Sequence, residues 1–445
     1  MSSGDGVTVG IDIGTTSVKA VAVDPDGSVV ARARIRHPLV SGSAEQLQHD
    51  AARAWRQGPR RALAALGDVR AKALSVTGMV PSLAAVRRSG VPLSQGLLYG
   101  DRTGRPAAAT EPALLRGDAG AFLRVLADAH PGAHGYWPAQ TTALAALGGP
   151  PVVAAMVSFV LGPLAVGGAW NAELLAECGV TEAQLPRIVP DRTPVGRAGD
   201  MLLDPGGIDV MCERIVAGAT REGDVLVLCG STLIVILLVA ADHVVPPGVP
   251  AFPHASGGQV VTTASNAGGL FLDWVDRVIA PAKGDVEPDR VPVWSPYIRG
   301  ERTPWEDADR RGQLVDLHLG HDAAAIRRAA HEASGFVVRH HLELTGVAAR
   351  RIVAVGGGTT SAAWMQALAD CTGLPVDVQA VPDGAAIGAA FLARMSAGLE
   401  DDISAAGRWA RIGRTVEPRP EWAAAVEARY ARFRQLADVS PAPRG

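Results

Sequence analysis

The chain has 445 residues, of which 48% are hydrophobic and 20% are charged, and at about 150 residues per domain this length predicts two or three domains. The composition excludes an intrinsically disordered protein. A formal charge of −3, from 42 Lys and Arg against 45 Asp and Glu, argues against a nucleic-acid or anionic-membrane binder. The 4 cysteines form no C-x-x-C pair, so reduced thiols are expected rather than a zinc site or disulfides.

The first predicted elements are three strands with tight turns over residues 7–35, where apolar and polar residues alternate. Glycine lets backbone amides approach a ligand, and two threonines with Lys19 add donors, so the first turn is a workable phosphate site. An ordinary hairpin is the equal alternative. Asp12, at the end of the first strand, is suited to hold Mg²⁺ through water. The turn consists of Gly14, Thr15, Thr16 and Ser17.

The next part of the chain is predicted to be largely helical. Residues 44–66 show helical periodicity, residues 73–76 form a short strand, and residues 102–194 are rich in alanine and leucine. The apolar run at 152–170 is broken by Gly162 and a following proline. We therefore expect a buried helical region rather than a membrane span.

Two aspartates in this first half each have two interpretations. Asp209 follows a glycine pair and precedes an apolar helix, so it is either a helix N-cap or a general base. Asp101 and Arg102 follow an apolar segment, and they form either a polyol-binding pair or a surface ion pair.

A second hairpin is predicted at residues 225–240, with a turn of Gly230, Ser231 and Thr232. Its order of strand, small polar turn and strand repeats that of residues 7–24, which suggests a duplicated domain. The alternative is coincidence, because glycine hairpins are common. A helix at 322–345 and a strand at 351–355 follow, and the strand runs into a glycine-rich junction suited to bind an anion or nucleotide.

Several motif classes are absent. The three lysines, Lys19, Lys72 and Lys283, never follow a glycine, so a G-x-x-x-x-G-K-[ST] phosphate loop is excluded. The chain also lacks G-x-G-x-x-G after a strand, H-E-x-x-H and G-x-S-x-G.

Taken in order, short strings over about residues 7–397 resemble the FGGY family of carbohydrate kinases, nearest to its xylulokinase-like branch. The opening string is residues 9–19, which match the family's phosphate motif nearly residue for residue. The later strings are Glu45-Gln46, Leu98-Tyr99-Gly100-Asp101-Arg102, Gly207-Ile208-Asp209, Glu222-Gly223-Asp224 with Gly230-Ser231-Thr232, residues 296–304, residues 328–332, Val355-Gly356-Gly357-Gly358, Ala369-Asp370 and residues 386–390.

This resemblance implies an α/β protein with the actin-like ATPase (ribonuclease H-like) fold, in which two duplicated domains enclose a central cleft. We place an N-terminal domain with the sugar site at residues 1–222 and a C-terminal nucleotide-binding domain at 223–445. The resemblance further implies a cytoplasmic kinase that uses ATP and Mg²⁺ on a ketopentose or polyol. It implies no nucleic-acid or membrane partner, and it leaves open whether the chain forms a homodimer.

The resemblance also implies roles for individual residues. Asp209 takes the position of the general base, and Asp12 that of the metal-binding carboxylate. The sugar pocket is expected at Met79, Asp101, Arg102 and Asp209. The phosphate and nucleotide positions are expected at Gly14, Thr15, Thr16, Lys19, Gly230, Ser231, Thr232, Gly269, Gly357 and Gly358.

The sugar half departs from the family pattern. Xylulokinases carry Gln-Met-His-Gly, whereas here Gly78 is followed by Met79, Val80 and Pro81, so a histidine that helps hold the ketose is missing. We therefore expect D-xylulose to be a poor substrate. A non-catalytic sugar- or nucleotide-sensing pseudokinase is the main alternative, and an actin-like chaperone or ATPase is a third.

Overall fold

The computed structural model describes residues 6–40, 46–99, 101, 103–104, 118–219, 221–247, 249–253, 258–282, 284, 286–380 and 383–438. The chain forms two compact units, one of Met1–Gly218 with Asp383–Ala410 and one of Ala219–Pro382 with Arg411–Gly445. This grouping differs from the predicted division at residue 222 because residues 383–410 pack within the first unit. The assignment of sugar and nucleotide sites to residues 1–222 and 223–445 remains a prediction. Glu45, Gly100 and Arg102, which belong to the predicted motifs, lie outside the described residues.

The strands before residue 210 all belong to the first unit. They are β1 (Thr8–Ile13), β2 (Ser17–Val23), β3 (Val29–Arg36), β4 (Leu39–Val40), β5 (Gln48–His49), β6 (Ala73–Gly78), β7 (Ser82–Val86), β8 (Gly96–Leu98), β9 (Gly135–Trp137), β10 (Val152–Ala154), β11 (Ala165–Val166), β12 (Ala169–Trp170), β13 (Arg187–Val189), β14 (Gly196–Ala198), β15 (Met201–Leu203) and β16 (Gly207–Ile208).

The remaining strands belong to the second unit. They are β17 (Asp224–Cys229), β18 (Leu233–Val239), β19 (Ala251–Pro253), β20 (Gln259–Ser265), β21 (Val293–Ser295), β22 (Gln313–Val315), β23 (Arg351–Val355), β24 (Val376–Gln379) and β25 (Ile412–Val416).

The helices are distributed over both units, and α10 returns to the first. They are α1 (Gly58–Ala64), α2 (Asp118–Ala129), α3 (Ala139–Ala146), α4 (Ala155–Phe159), α5 (Ala172–Glu177), α6 (Asp209–Ala217), α7 (Gly269–Val278), α8 (Ala323–Thr345), α9 (Ala362–Thr372), α10 (Gly384–Ser396) and α11 (Ala423–Asp438). A π-helical segment at Ala52–Gln57 precedes α1.

The two units have main sheets of the same design. In the first, β3, β2 and β1 are antiparallel neighbours, and β6 continues the sheet parallel to β1. In the second, β20, β18 and β17 are antiparallel neighbours, and β23 continues the sheet parallel to β17. The predicted duplication of the opening hairpin is therefore confirmed by strand order and pairing.

The core of the first unit requires a close approach of α10 to β1. Every residue of β1 is buried. A Cβ placed on Gly10 would lie 1.8 Å from the backbone oxygen of Ala386, which only a glycine permits. The Thr8 hydroxyl donates a 2.8 Å hydrogen bond to the backbone oxygen of Ala390. These contacts explain why residues 383–410 belong to the first unit.

Of two predictions about the middle of the chain, one is correct only in part and the other is wrong. The helix expected over residues 44–66 is preceded by β5, and only its second part is helical. The apolar run at 152–170 is not one helical region but β10, α4, a single 3-10 turn, β11 and β12. The valines at its start pair with β13, a contact distant in sequence that local composition does not reveal. Among the described residues, no helix is both long and apolar enough to cross a membrane.

Candidate active site

Three neighbouring strands of the first unit end at the same sheet edge. β6 runs parallel to β1 and β16, with Gly78 opposite both Ile13 and Ile208. The chain therefore leaves this edge at three places: the first hairpin turn (residues 14–17), Met79 and Asp209. Ligands of open α/β sheets bind outside the carboxyl ends of parallel strands, so this edge is the candidate site of the first unit.

The first hairpin turn is held by its carbonyl groups. The Gly14 amide donates to the Ser17 oxygen at 3.0 Å, and the His37 amide donates to the Thr16 oxygen at 3.0 Å. The Thr15 oxygen lies 2.8 Å from His49 Nε2. Among the described residues, the amides and hydroxyls of Thr15 and Thr16 make no hydrogen bond. They therefore remain available as donors to a ligand.

Asp12 lies beside this turn among charged neighbours. It is opposite Lys19 in the β1–β2 pairing, and Lys19 Nζ lies 3.7 Å from Asp383 Oδ1. Burial raises the pKa of Asp12 to about 7, with Lys19 opposing the rise and the carboxylates of Asp209 and Asp383 adding to it. The excess of carboxylates over cations leaves the site short of positive charge.

Asp12 also fits the requirements of a magnesium site. Its Oδ1 is buried, and within the described part of the chain it has no hydrogen-bond partner. Mg²⁺ favours one or two carboxylates and completes its shell with water and phosphate oxygens. The described residues contain no group of three or more His, Cys, Asp or Glu arranged to hold a metal. A cation at Asp12 would accordingly take its other ligands from water or substrate.

Glu213 is a further buried carboxylate that interacts electrostatically with Lys19, Asp12 and Asp209, and it was not predicted from the sequence. It is only 5% exposed, and a Cβ placed on Gly384 at the start of α10 would lie 2.5 Å from its Oε1. Burial raises the pKa of Glu213 to about 8, opposed by Lys19 and increased by Asp12 and Asp209. A signal was present in the sequence, because Glu213 follows Asp209 by four residues and so shares its helix face.

Asp209 is the first residue of α6, and Ile208 occupies the N-cap position. Its Oδ1 accepts a 2.7 Å hydrogen bond from the adjacent Val210 amide, and burial raises the pKa of Asp209. A cap would instead accept from the amide two or three residues further on. The observed geometry therefore departs from the plain capping interpretation.

Gln140, at the start of α3, joins two of the strands that end at this edge. Its Nε2 donates to the backbone oxygens of Gly78, at 3.0 Å, and Gly207, at 3.2 Å. Its Oε1 is buried without a partner among the described residues. Gln140 thus fixes the start of the segment that carries Asp209, a long-range role that sequence spacing does not reveal.

The two other predicted sugar residues that are described lie in the interior. Met79 is 3% exposed and packs in the core beneath the sheet edge. Asp101 is fully buried, and its oxygens accept from the amides of Leu47 at 2.9 Å and Thr103 at 2.8 Å. Asp101 therefore fixes the backbone at Leu47 and Thr103, and its contact with a sugar remains a prediction.

The second hairpin turn (residues 230–232) has the same kind of support in the second unit. The Gly230 oxygen accepts from the Gly269 amide at 2.8 Å, and the Ser231 oxygen accepts from the Leu270 amide at 3.0 Å. The Gly230 amide donates to the Thr232 oxygen at 3.1 Å. A Cβ on Gly269 would lie 2.7 Å from the Gly230 oxygen, so the start of α7 must approach closely.

The glycine-rich junction leaves the same edge of the second sheet. Val355 of β23 is opposite Leu228 of β17, so Gly356 and the second hairpin turn are neighbours. Gly356 has φ +91° and would bring a Cβ within 3.0 Å of the Cys229 oxygen. Gly358 packs on Trp364, whereas Gly357 has open space around it. Gly357 and Gly358, two of the three glycines predicted for the nucleotide pocket, thus lie in the segment beside the second hairpin turn.

Comparisons with known proteins agree with the resemblance seen in the sequence. The model of the C-terminal domain of the FGGY family of carbohydrate kinases matches residues 254–397. A xylulose kinase of Bacillus subtilis (strain 168) is 26% identical over 89% of both chains. A glycerol kinase of Cereibacter sphaeroides is 41% identical over 31% of this chain and 29% of its own.

Solved structures resemble the whole chain. The ligand-bound xylulose kinase from Lactobacillus acidophilus superposes with a TM-score of 0.80 at 20% identity, covering 97% of this chain and 98% of its own. A gluconate kinase from the same organism gives the same TM-score, identity and coverage. The predicted actin-like ATPase fold is confirmed by these likenesses together with the duplicated sheets.

Proposed function

We propose that this chain, which resembles the FGGY family of carbohydrate kinases over its C-terminal half and is similar to xylulose kinase sequences, transfers the γ-phosphoryl group of ATP to a hydroxyl of a small ketose or polyol. One observation carries this proposal: parallel strands β1, β6 and β16 end side by side, with the first hairpin turn and Asp209 at their ends. A phosphate-binding turn and a base must be neighbours for an in-line transfer.

We assign Asp209 the role of general base. Its carboxylate accepts the proton of the attacking hydroxyl while that oxygen forms a bond to the γ-phosphorus, and ADP leaves as the bond to the β-γ bridging oxygen breaks. The raised pKa of Asp209, caused by burial, makes its carboxylate a better proton acceptor than an exposed aspartate. Gln140 supports this role by fixing Gly207, two residues before the base.

The remaining roles concern the nucleotide. Mg²⁺, held at Asp12, would neutralise charge on the phosphate oxygens. The free amides and hydroxyls of Thr15 and Thr16, with Gly14 and Lys19, are proposed to bind phosphate. In the second unit the corresponding proposal is phosphate binding by Gly230, Ser231 and Thr232, with Gly269, Gly357 and Gly358 lining the nucleotide pocket.

The acceptor is proposed to be a ketopentose other than D-xylulose, or a related polyol. The chain has Met79, Val80 and Pro81 where xylulokinases carry a histidine that contacts the ketose. A site that loses a hydrogen-bonding group discriminates less well in favour of the substrate that needs it. Relatives named as kinases of xylulose and glycerol, and a structural neighbour named gluconate kinase, define the range to test.

The experiment is a phosphorylation assay with ATP and Mg²⁺ across D-xylulose, D-ribulose, L-ribulose, xylitol, glycerol and gluconate. We expect sugar-dependent ADP release, with a kcat/KM for D-xylulose below that for another compound. ADP release that no acceptor stimulates would favour an actin-like ATPase. Binding of nucleotide and sugar without turnover would favour a pseudokinase, and either result would reject the proposal.

Asp209→Asn tests the base within the same assay. Asparagine keeps the shape but cannot accept the proton, so kcat should fall roughly 10²–10⁴-fold while ATP affinity stays unchanged. Asp322→Asn is the matched control, because Asp322 is a true N-cap that accepts from the Ala325 amide at 2.9 Å. An Asp209→Asn enzyme that keeps more than about a tenth of kcat would reject the assignment.

A further inference from the structure

A buried chain of two hydrogen bonds ends on the first hairpin turn. Trp55 Nε1 lies 2.9 Å from His49 Nδ1, and His49 Nε2 lies 2.8 Å from the Thr15 oxygen. Both side chains are fully buried. Gly96 lies directly against the indole, since a Cβ there would come within 2.2 Å of it. The indole is therefore fixed in place.

The direction of both hydrogen bonds is determined by chemistry. An indole N–H can only donate, so His49 Nδ1 must be the acceptor. The imidazole then carries its proton on Nε2 and donates it to the Thr15 carbonyl. Burial lowers the pKa of His49 to about 4, which agrees with a neutral ring in this tautomer.

The bond to Thr15 also determines where the next amide points. The Thr15 oxygen and the Thr16 amide belong to one trans peptide group, in which C=O and N–H point in opposite directions. Fixing the carbonyl toward buried His49 turns the Thr16 N–H away from the core. Thr16 is exposed, and its amide has no acceptor among the described residues.

The second hairpin turn achieves the same result by other means. There the carbonyls of Gly230 and Ser231 are held by the backbone amides of Gly269 and Leu270. In the first hairpin turn a histidine side chain takes the place of one such amide. The duplicated turns thus share fixed carbonyls, and only the first depends on a replaceable side chain.

We propose that His49, oriented by Trp55, is a positioning residue that aims the Thr16 amide at a phosphate group of the nucleotide. This inference rests on the proposed role of the first hairpin turn in phosphate binding. Without the Nε2 donor, the Thr15–Thr16 peptide is free to flip, and its carbonyl oxygen would then face the phosphate. Such a change affects nucleotide use and leaves sugar binding intact.

The test compares His49→Leu, which removes the donor, with His49→Gln, whose amide nitrogen can replace Nε2. We expect kcat/KM for ATP to fall about 10–100-fold in His49→Leu, which is the range for losing a hydrogen bond to a charged group. The KM for the sugar should not change, and His49→Gln should recover to within about threefold of wild type.

His243→Leu is the matched control. His243 Nε2 lies 2.8 Å from the Thr345 oxygen, the same kind of contact at the C-terminal end of α8 and outside both hairpin turns. We expect its kcat/KM for ATP to equal that of wild type. Equal losses in His49→Leu and His243→Leu, or a rise in the sugar KM matching the loss for ATP, would overturn the proposal in favour of a purely structural role.

Failure of this inference can be separated from failure of the proposed function. An active wild type with an unaffected His49→Leu variant overturns the positioning role alone. If the wild type phosphorylates nothing, the proposed function fails, and calorimetry with Mg-ATP then tests the positioning role directly. Weaker Mg-ATP binding by His49→Leu that is restored in His49→Gln would support the role. The role would be overturned if His49→Leu binds Mg-ATP as tightly as wild type, or if the wild type does not bind Mg-ATP.

Discussion

Asp204 is a buried carboxylate whose protonation affects the stability of the first unit. It is fully buried and accepts hydrogen bonds from Ser75 Oγ at 2.7 Å, the Gly206 amide at 2.9 Å and the Ser396 hydroxyl. Burial raises the pKa of Asp204 to about 6, although all three donors oppose the rise. The carboxyl therefore links α10 to the segment before Asp209, and it favours the protonated form more in the folded chain than in the unfolded one.

The sign of the pH effect follows from this raised pKa. Below the ordinary pKa of aspartate, both folded and unfolded chains hold the proton. As pH rises toward 6 the unfolded chain releases it first, so the contribution of Asp204 to folding stability is lost, by about 3 kcal/mol.

In Asp204→Asn this loss should disappear, because the amide does not titrate and can donate to Ser396 while still accepting from Ser75. Urea unfolding of wild type and variant between pH 4 and 7.5 measures the free energy of unfolding of each. The variant should gain stability relative to wild type as pH rises, and parallel pH profiles would contradict the prediction.

Some residues of the candidate site are predictable from the sequence, and others are identified only by contacts in the folded chain. Asp12, Thr15 and Thr16 stand in one short string whose chemistry is local, and the sequence alone suggested them. His49 and Gln140 act on backbone oxygens 34 and 62 residues away. Such contacts exist only once strands pair and helices pack, and no spacing rule predicts them. Glu213 is the exception, because its spacing of four residues from Asp209 already places both carboxylates on one face of a helix.

At the scale of elements, α10 packs against both β1 and α6 with almost no space between backbones. A Cβ on Gly388 would lie 2.0 Å from the Cys212 backbone oxygen. Gly388→Ala should therefore destabilise the protein by about 1–3 kcal/mol, the usual cost of overpacking, although alanine favours helix by about 1 kcal/mol.

Gly132→Ala is its control, because a Cβ there meets nothing within 4 Å. Urea unfolding should place this variant within about 0.5 kcal/mol of wild type. A Gly388→Ala protein as stable as Gly132→Ala would show that the two helices can separate without loss.

The elements that sequence predicted well have local causes. Both hairpins alternate small turns with β-branched strands, α8 starts at its Asp322 cap and ends at a glycine, and β23 occurs at the residues expected. Over residues 102–194 the predicted helical character is confirmed by α2, α3, α4 and α5, but the prediction missed short strands such as β9 and β10, which depend on partners far along the chain. Alanine and leucine favour helix there by composition, and strand pairing overrides that preference.

At the scale of the whole molecule, the first unit is built from two separate stretches of chain. α10 supplies the helix that covers β1 and α6, and the Arg394 guanidinium donates a 2.6 Å hydrogen bond to the Gly6 oxygen. Residues 1–222 without α10 would expose the buried face of β1 to water. We therefore expect that fragment not to unfold cooperatively.

A chain that joins Met1–Gly218 to Asp383–Ala410 should restore the fold of the first unit. The start of α10 lies beside Glu213, since a Cβ on Gly384 would come within 2.5 Å of its carboxylate. Gly218 is five residues further along, which is roughly 8 Å of helix. A linker of about eight Gly and Ser residues can reach up to roughly 26 Å, which is more than this distance.

Circular dichroism and urea unfolding should show one cooperative transition for the joined chain and none for residues 1–222. Equal stability of the two would contradict the view that α10 completes this unit.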